Sequence, residues 1–95
     1  MTIFATIYDH TKETVSSLLP LPDDWIKSKC YEASLAKSLL VHLLTLQGFS
    51  RRMIEYYTTL SKSSVKQYEN GYAERVKTDR TLRILEYEAR KELGL

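Results

Sequence analysis

The stretch from Tyr31 to Gln47 constrains the fold more than any other part of the chain. Ala33, Leu35, Ala36, Leu39, Leu40, Val41, Leu43, Leu44 and Leu46 make it too apolar for a helix that buries only one side. It reads as a core helix, and Gly48 stands where a left-handed residue closes such a helix and turns the chain toward Ser50. A chain of 95 residues has room for one core of this kind and too little for two, so residues 1–95 form a single helical domain.

Proline and capping residues divide the remainder. Residues 1–22 are an N-terminal segment in which Ile3, Phe4, Ile7, Tyr8, Val15, Leu18 and Leu19 recur at loosely helical intervals, interrupted by polar Asp9 to Thr14. TIFATIY alone is also compatible with a short strand. Pro20-Leu21-Pro22 ends whatever precedes it. Asp23 and Asp24 are placed to cap a new helix, with a break near Ser28 to Cys30 before the core helix. Thr78 or Asp79 can cap a last helix over residues 79–93, carrying Leu82, Ile84, Leu85, Ala89 and Leu93, with Gly94 just past its end. The expected class is all-α, with four to five helices.

Several functions find no support. Cys30 is the only cysteine, so no intrachain disulfide forms, no Cys/His cluster offers a zinc site, and a reducing cytoplasm fits best. MTIFATIYDHTKE has no basic region before an apolar run and no small-residue cleavage site, and no apolar run approaches membrane-spanning length, so neither secretion nor a membrane span is expected. There is no Gly-rich phosphate loop, GxSxG, HExxH or zinc-deaminase signature. No enzyme activity, cofactor or metal is therefore expected. His10 and His42 read as structural, Trp25 as core or interface, and Cys30 as a small buried residue. Tyr56, Tyr57, Tyr68 and Tyr72 read as core or dimer contacts rather than stacking platforms for single strands.

The most informative stretch is FSRRMIEYYTTLSKSSVKQYENG, from Phe49. Ser50 can cap a short helix of Arg51 to Thr58 in which Ile54 and Tyr57 point inward, and Leu60 fills the turn. Ser61 can cap a second helix, Lys62 to about Asn70, with Val65 and Tyr68 inward. Ile54, Leu60, Val65 and Tyr68 then form the apolar skeleton of a helix-turn-helix, with a buried residue on each helix and one in the turn fixing the crossing. Charge follows the same division. The net charge is only +2, yet residues 51–77 hold Arg51, Arg52, Lys62, Lys66, Arg75 and Lys77 against Glu55, Glu69 and Glu74.

LSKSSVKQY resembles the turn and recognition helix of many bacterial and phage transcription regulators, and FSRRMIEYY resembles the helix before it. The order SLAKSLLVHLL, GFSRRMIEYY, LSKSSVKQY, Tyr72, Asp79 and an apolar last helix is similar to the DNA-binding domain of the DnaA replication initiator and to the Trp repressor. Glu55 stands where such motifs usually have Ala, and Thr59 where they have Gly, which asks Thr59 for an uncommon backbone conformation. The DnaA signature residues are not reproduced around Ser61 to Ser64, so origin recognition does not carry over.

The resemblance implies a tri-helical helix-turn-helix core over residues 31–77 that places its second helix in the major groove of double-stranded DNA. Ser61, Lys62, Ser63, Lys66, Gln67 and Asn70 become the base-reading candidates, while Arg51, Arg52, Arg75 and Lys77 become phosphate contacts. A homodimer reading two half-sites is expected, with the N-terminal segment, Trp25 and the last helix as candidate dimer surfaces. The role implied is transcription regulation, or accessory work in replication or mobilisation of a bacterium, phage or plasmid. A helical protein-interaction module, adaptor or inhibitor, is the alternative, and the near-neutral net charge is its support.

Overall fold

The computed structural model describes residues 3–95, so the first two residues of the N-terminal segment lie outside it. Five helices follow in order: α1 (Ile3–Leu18), α2 (Tyr31–Leu46), α3 (Arg51–Thr58), α4 (Lys62–Thr78) and α5 (Arg80–Leu93). No strand occurs among the described residues, and the all-α class is as expected.

α2 is the axis because its sequence leaves no polar face to give to water. Ten of its sixteen residues are buried, and each of the other four helices packs on it. Its end is closed as Gly48 implies. Gly48 takes φ +93°, its N–H donates to the Thr45 carbonyl at 3.1 Å, and the Phe49 N–H reaches back to Leu44 at 3.0 Å. This pairing satisfies two carbonyls that the helix end would otherwise leave open, and it buries Phe49. Lys37 is buried on the same helix. Its ammonium donates to the Ser28 carbonyl at 2.6 Å and so ties the preceding loop down.

α1 is helical throughout its described length, and the polar stretch inside it does not break it. Thr11 and Thr14 are buried, and their hydroxyls donate to the carbonyls of Ile7 and His10 at 2.7 and 2.9 Å, which satisfies them inside the helix. Gln47 then donates to the Thr11 hydroxyl at 2.9 Å. At the other end, the rings of Phe4 and Phe49 meet edge to face at 5.1 Å, and Tyr8 stacks on Tyr57 at 5.2 Å. Aromatic contacts thus brace α1 against the α2–α3 connection and α3, a geometry that adds about 0.5–1.5 kcal/mol per pair beyond the area buried.

Two expectations need correction in this part of the fold. The segment after Asp23 and Asp24 is not a helix. It makes consecutive turns, with Trp25, Lys27 and Ser28 N–H groups donating three residues back, to Pro22, Asp24 and Trp25. Proline on one side and burial of the Trp25 ring on the other leave too few residues to repay helix nucleation. Cys30, read as buried, is exposed, because it is the residue before α2 and its side chain lies outside the core.

α4 also outruns its expected end at Asn70 and continues to Thr78. Gly71 in a helix interior costs about 1 kcal/mol relative to Ala. Tyr72 and Val76 continue the apolar row of Val65 and Tyr68, however, and Tyr72 is buried, so packing outweighs that local cost. Asp79 ends α4 and starts α5: its carboxylate accepts the Leu82 N–H at 3.2 Å. Leu82, Leu85 and Ala89 are the residues α5 buries.

Candidate nucleic-acid interface

The α3–α4 pair is set by short-range hydrogen bonds around the turn at residues 59–61. The Ser50 hydroxyl accepts the Met53 N–H at 3.2 Å and so caps α3. At its far end, buried Thr58 donates its hydroxyl to the Ile54 carbonyl at 2.6 Å and accepts the Leu60 N–H at 3.2 Å. Thr59 adopts φ 61°, ψ 13°, the only left-handed non-glycine among the described residues, and its N–H donates to Glu55. The turn thus has the backbone that Thr59 was expected to need. Glu55 is accommodated half-buried. Ser61 caps α4 by accepting the Ser64 N–H at 3.2 Å, and its hydroxyl donates to that of Ser64 at 2.9 Å.

Ile54 and Val65 are completely buried, while Leu60 and Tyr68 pack against the core partly buried. This inward row decides what α4 shows outside. At about 100° per residue, Lys62, Ser63, Lys66, Gln67 and Asn70 share roughly 140° of arc, opposite Val65, Tyr68 and Tyr72. All five, and the capping Ser61, are exposed. Neither Lys62 nor Lys66 enters an ion pair among the described residues. Glu69 lies at the margin of the face, turned to Arg51 across the helix pair at 2.9 Å.

The four remaining basic candidates occupy different situations. Arg52 is exposed and free of ion pairs among the described residues. Arg51 braces α3 to α4 through Glu69, with its side chain still half-exposed. Lys77 is exposed and stands 3.8 Å from Glu74. Arg75 is half-buried and turned to α2, where one guanidinium nitrogen donates to both Ser34 and Ser38 hydroxyls at 3.0 Å. Tyr56, grouped in the sequence with core or dimer residues, is 78% exposed on α3 and touches the edge of the Tyr57 ring.

Behind α4, two polar clusters hold it to its neighbours. The Tyr31 hydroxyl donates to Asp79 at 2.7 Å, which keeps the Asp79 carboxyl below the usual aspartate range and raises the Tyr31 phenol in return. His42 of α2 stacks on Tyr72 of α4, centroids 3.9 Å apart and planes within 8°. The Tyr72 hydroxyl donates to Glu86 of α5 at 2.6 Å, and the same carboxylate oxygen is 3.5 Å from His42 Nε2. Burial lowers the His42 pKa, with Glu86 opposing and Arg90 assisting. Burial, reinforced by Glu86, holds the Tyr72 proton in place.

The serines that receive Arg75 were not among the sequence candidates. Their signal is the four-residue spacing of Ser34 and Ser38, which puts two hydroxyls on one side of an otherwise apolar helix. No protein-family model, curated protein or solved structure matches the chain.

Proposed function

We propose that the chain binds double-stranded DNA, with α3 and α4 acting as a helix-turn-helix and α4 lying in the major groove. The observation that carries this reading is the outward face of α4. Five polar residues, Lys62, Ser63, Lys66, Gln67 and Asn70, project from its first turns with Ser61 capping them, Glu69 standing only at the margin, opposite a buried row that fixes the helix against the core. Gln67 and Asn70 have the paired donor and acceptor that adenine requires, Lys62 and Lys66 reach guanine acceptors, and the Ser61 and Ser63 hydroxyls suit either. Arg52, Arg51 and Lys77 flank this face and meet phosphates, which sets register without reading sequence.

One such helix gives limited affinity, so the reading includes a homodimer that places two α4 helices about 34 Å apart on a two-fold site. Regulation of transcription, or an accessory role in replication or mobilisation, follows from sequence-specific duplex binding in a reducing cytoplasm.

A protein-binding role is the second reading. Its support is the outer side of α5, where Ile84 and Tyr87 are exposed, together with the small net charge. Titrating salt against binding to random duplex DNA separates the two. Duplex binding through phosphates loses affinity by about 0.9 log unit per contact for each tenfold rise in salt. Absence of any binding at low salt leaves the protein-binding reading.

A further inference from the structure

Arg75 is a half-buried cation held by hydroxyls instead of a carboxylate. Among the described residues no carboxylate stands at ion-pair distance from it. The nearby Asp79, hydrogen-bonded to the Tyr31 hydroxyl and the Leu82 N–H, acts on the Arg75 guanidinium through its charge alone. Its two hydrogen bonds leave from a single nitrogen, and a guanidinium carries five N–H donors. Beside it opens a cleft of about 320 Å³ between α2 and α4, lined by Ser34, Ser38, Gln67, Tyr68, Gly71 and Arg75.

The lining is unequal in a way that favours an anion. Ser38 spends its proton on the Ser34 carbonyl at 3.0 Å, whereas the Ser34 hydroxyl accepts from Arg75 and keeps its own proton to give. Gln67 and Tyr68 complete the lining, and no carboxylate lines the cleft. Gly71 contributes space, since a methyl group built on it meets nothing within 4 Å.

We infer that this cleft binds a phosphoryl oxyanion, with Arg75 and Ser34 donating to its oxygens and Ser38 holding the guanidinium in place. Charge-assisted donation from a guanidinium with a converging hydroxyl is the chemistry that recognises phosphate. A free phosphate and a phosphate of a bound duplex offer the same group. The anion site itself does not depend on the duplex reading.

The test is titration of the intact protein with inorganic phosphate against chloride at matched ionic strength, following the amide signals of Ser34 and Gly71 and the Arg75 Nε–H. Saturable shifts are expected, with affinity at least tenfold weaker in Arg75→Gln, Ser34→Ala and Gly71→Leu. Gly71→Leu fills the cleft from an open helix position, so it serves as the informative variant should Arg75→Gln fail to fold. Linear shifts in the wild type, or equal affinity in Gly71→Leu, overturn the proposal. Repeating the phosphate titration with a short duplex present assigns the source: an apparent phosphate affinity that falls as duplex is added supports a backbone phosphate competing for the cleft, and an unchanged phosphate affinity supports a free ion. Duplex binding without phosphate binding removes the cleft and leaves the duplex reading intact. Phosphate binding without duplex binding does the reverse.

Discussion

Thr59 donates its backbone N–H to the Glu55 carbonyl at 2.9 Å, and it does so from left-handed backbone that a β-branched residue rarely adopts. The hydrogen bond closes α3, and the conformation turns the chain toward Ser61. Holding an L-residue there costs about 1–2 kcal/mol, relieved at a glycine. Thr59→Gly loses a 2.6 Å bond from its hydroxyl to the Thr58 carbonyl and adds freedom to the unfolded chain. A net gain of about 1 kcal/mol is still expected, a rise in Tm of about 4–8 °C at this chain length. Thermal unfolding checks it, and a fall in Tm means that the turn is not strained.

Gly71 gives a related prediction of opposite origin. It lies in the middle of α4, exposed, with open space where a Cβ would go. Gly71→Ala therefore adds helix propensity without a clash and stabilises by about 1 kcal/mol. Chemical denaturation should show a higher midpoint with an unchanged slope. A lower midpoint means that α4 bends or opens at this residue.

Acidification acts on His42. The unfolded chain protonates this imidazole near its ordinary pKa of 6.5, whereas burial holds the folded value lower. Below pH 6.5 the unfolded state therefore binds more protons, and stability falls as pH drops toward the folded pKa. Asp79 adds a second loss at lower pH: its carboxyl is held below 3.8 when folded, so the stability it contributes above that value disappears as pH falls through the depressed one. Denaturant midpoints across pH should show the first step in the wild type and flatten it in His42→Phe. A midpoint that rises on acidification through pH 6 contradicts the assignment of a half-buried imidazole held neutral.

What was legible in the sequence were features that a single local rule decides. The all-round apolar pattern identified α2 as the core helix, Gly48 marked its end, Thr78 or Asp79 the start of α5, of which Asp79 is the cap, and Thr59 the left-handed turn. What was not legible depended on competition between local and distant terms. Asn70-Gly71 reads as a stop, yet burial of Tyr72 carries α4 through it. Asp23-Asp24 reads as a start, yet Trp25 turns into the core before a helix can form. Arg75 is one more cation in the sequence, and only the packing of α4 on α2 reveals its two serine partners. The five polar residues of α4 share one exposed side because the buried row behind them has helical period, but period alone does not say what that side touches.

Binding and folding separate most cleanly at Ser61, Lys66 and Gln67. Ser61→Ala removes the cap of α4 and should cost about 1 kcal/mol of stability. Ser61→Asp keeps a cap but places a negative charge on the outward face, so it should preserve Tm and weaken duplex binding. The Lys66 and Gln67 side chains are exposed and make no hydrogen bond or ion pair among the described residues, so Lys66→Ala and Gln67→Ala should change stability by no more than about 0.5 kcal/mol. Each should nonetheless cost about 1–3 kcal/mol against a duplex selected for tight binding, with relaxed preference at one base pair. Arg52→Ala should weaken all duplexes alike and reduce the salt slope by about one contact. Unchanged affinity in all of these folded variants would mean that the outward side of α4 does not meet DNA, whatever the protein binds elsewhere.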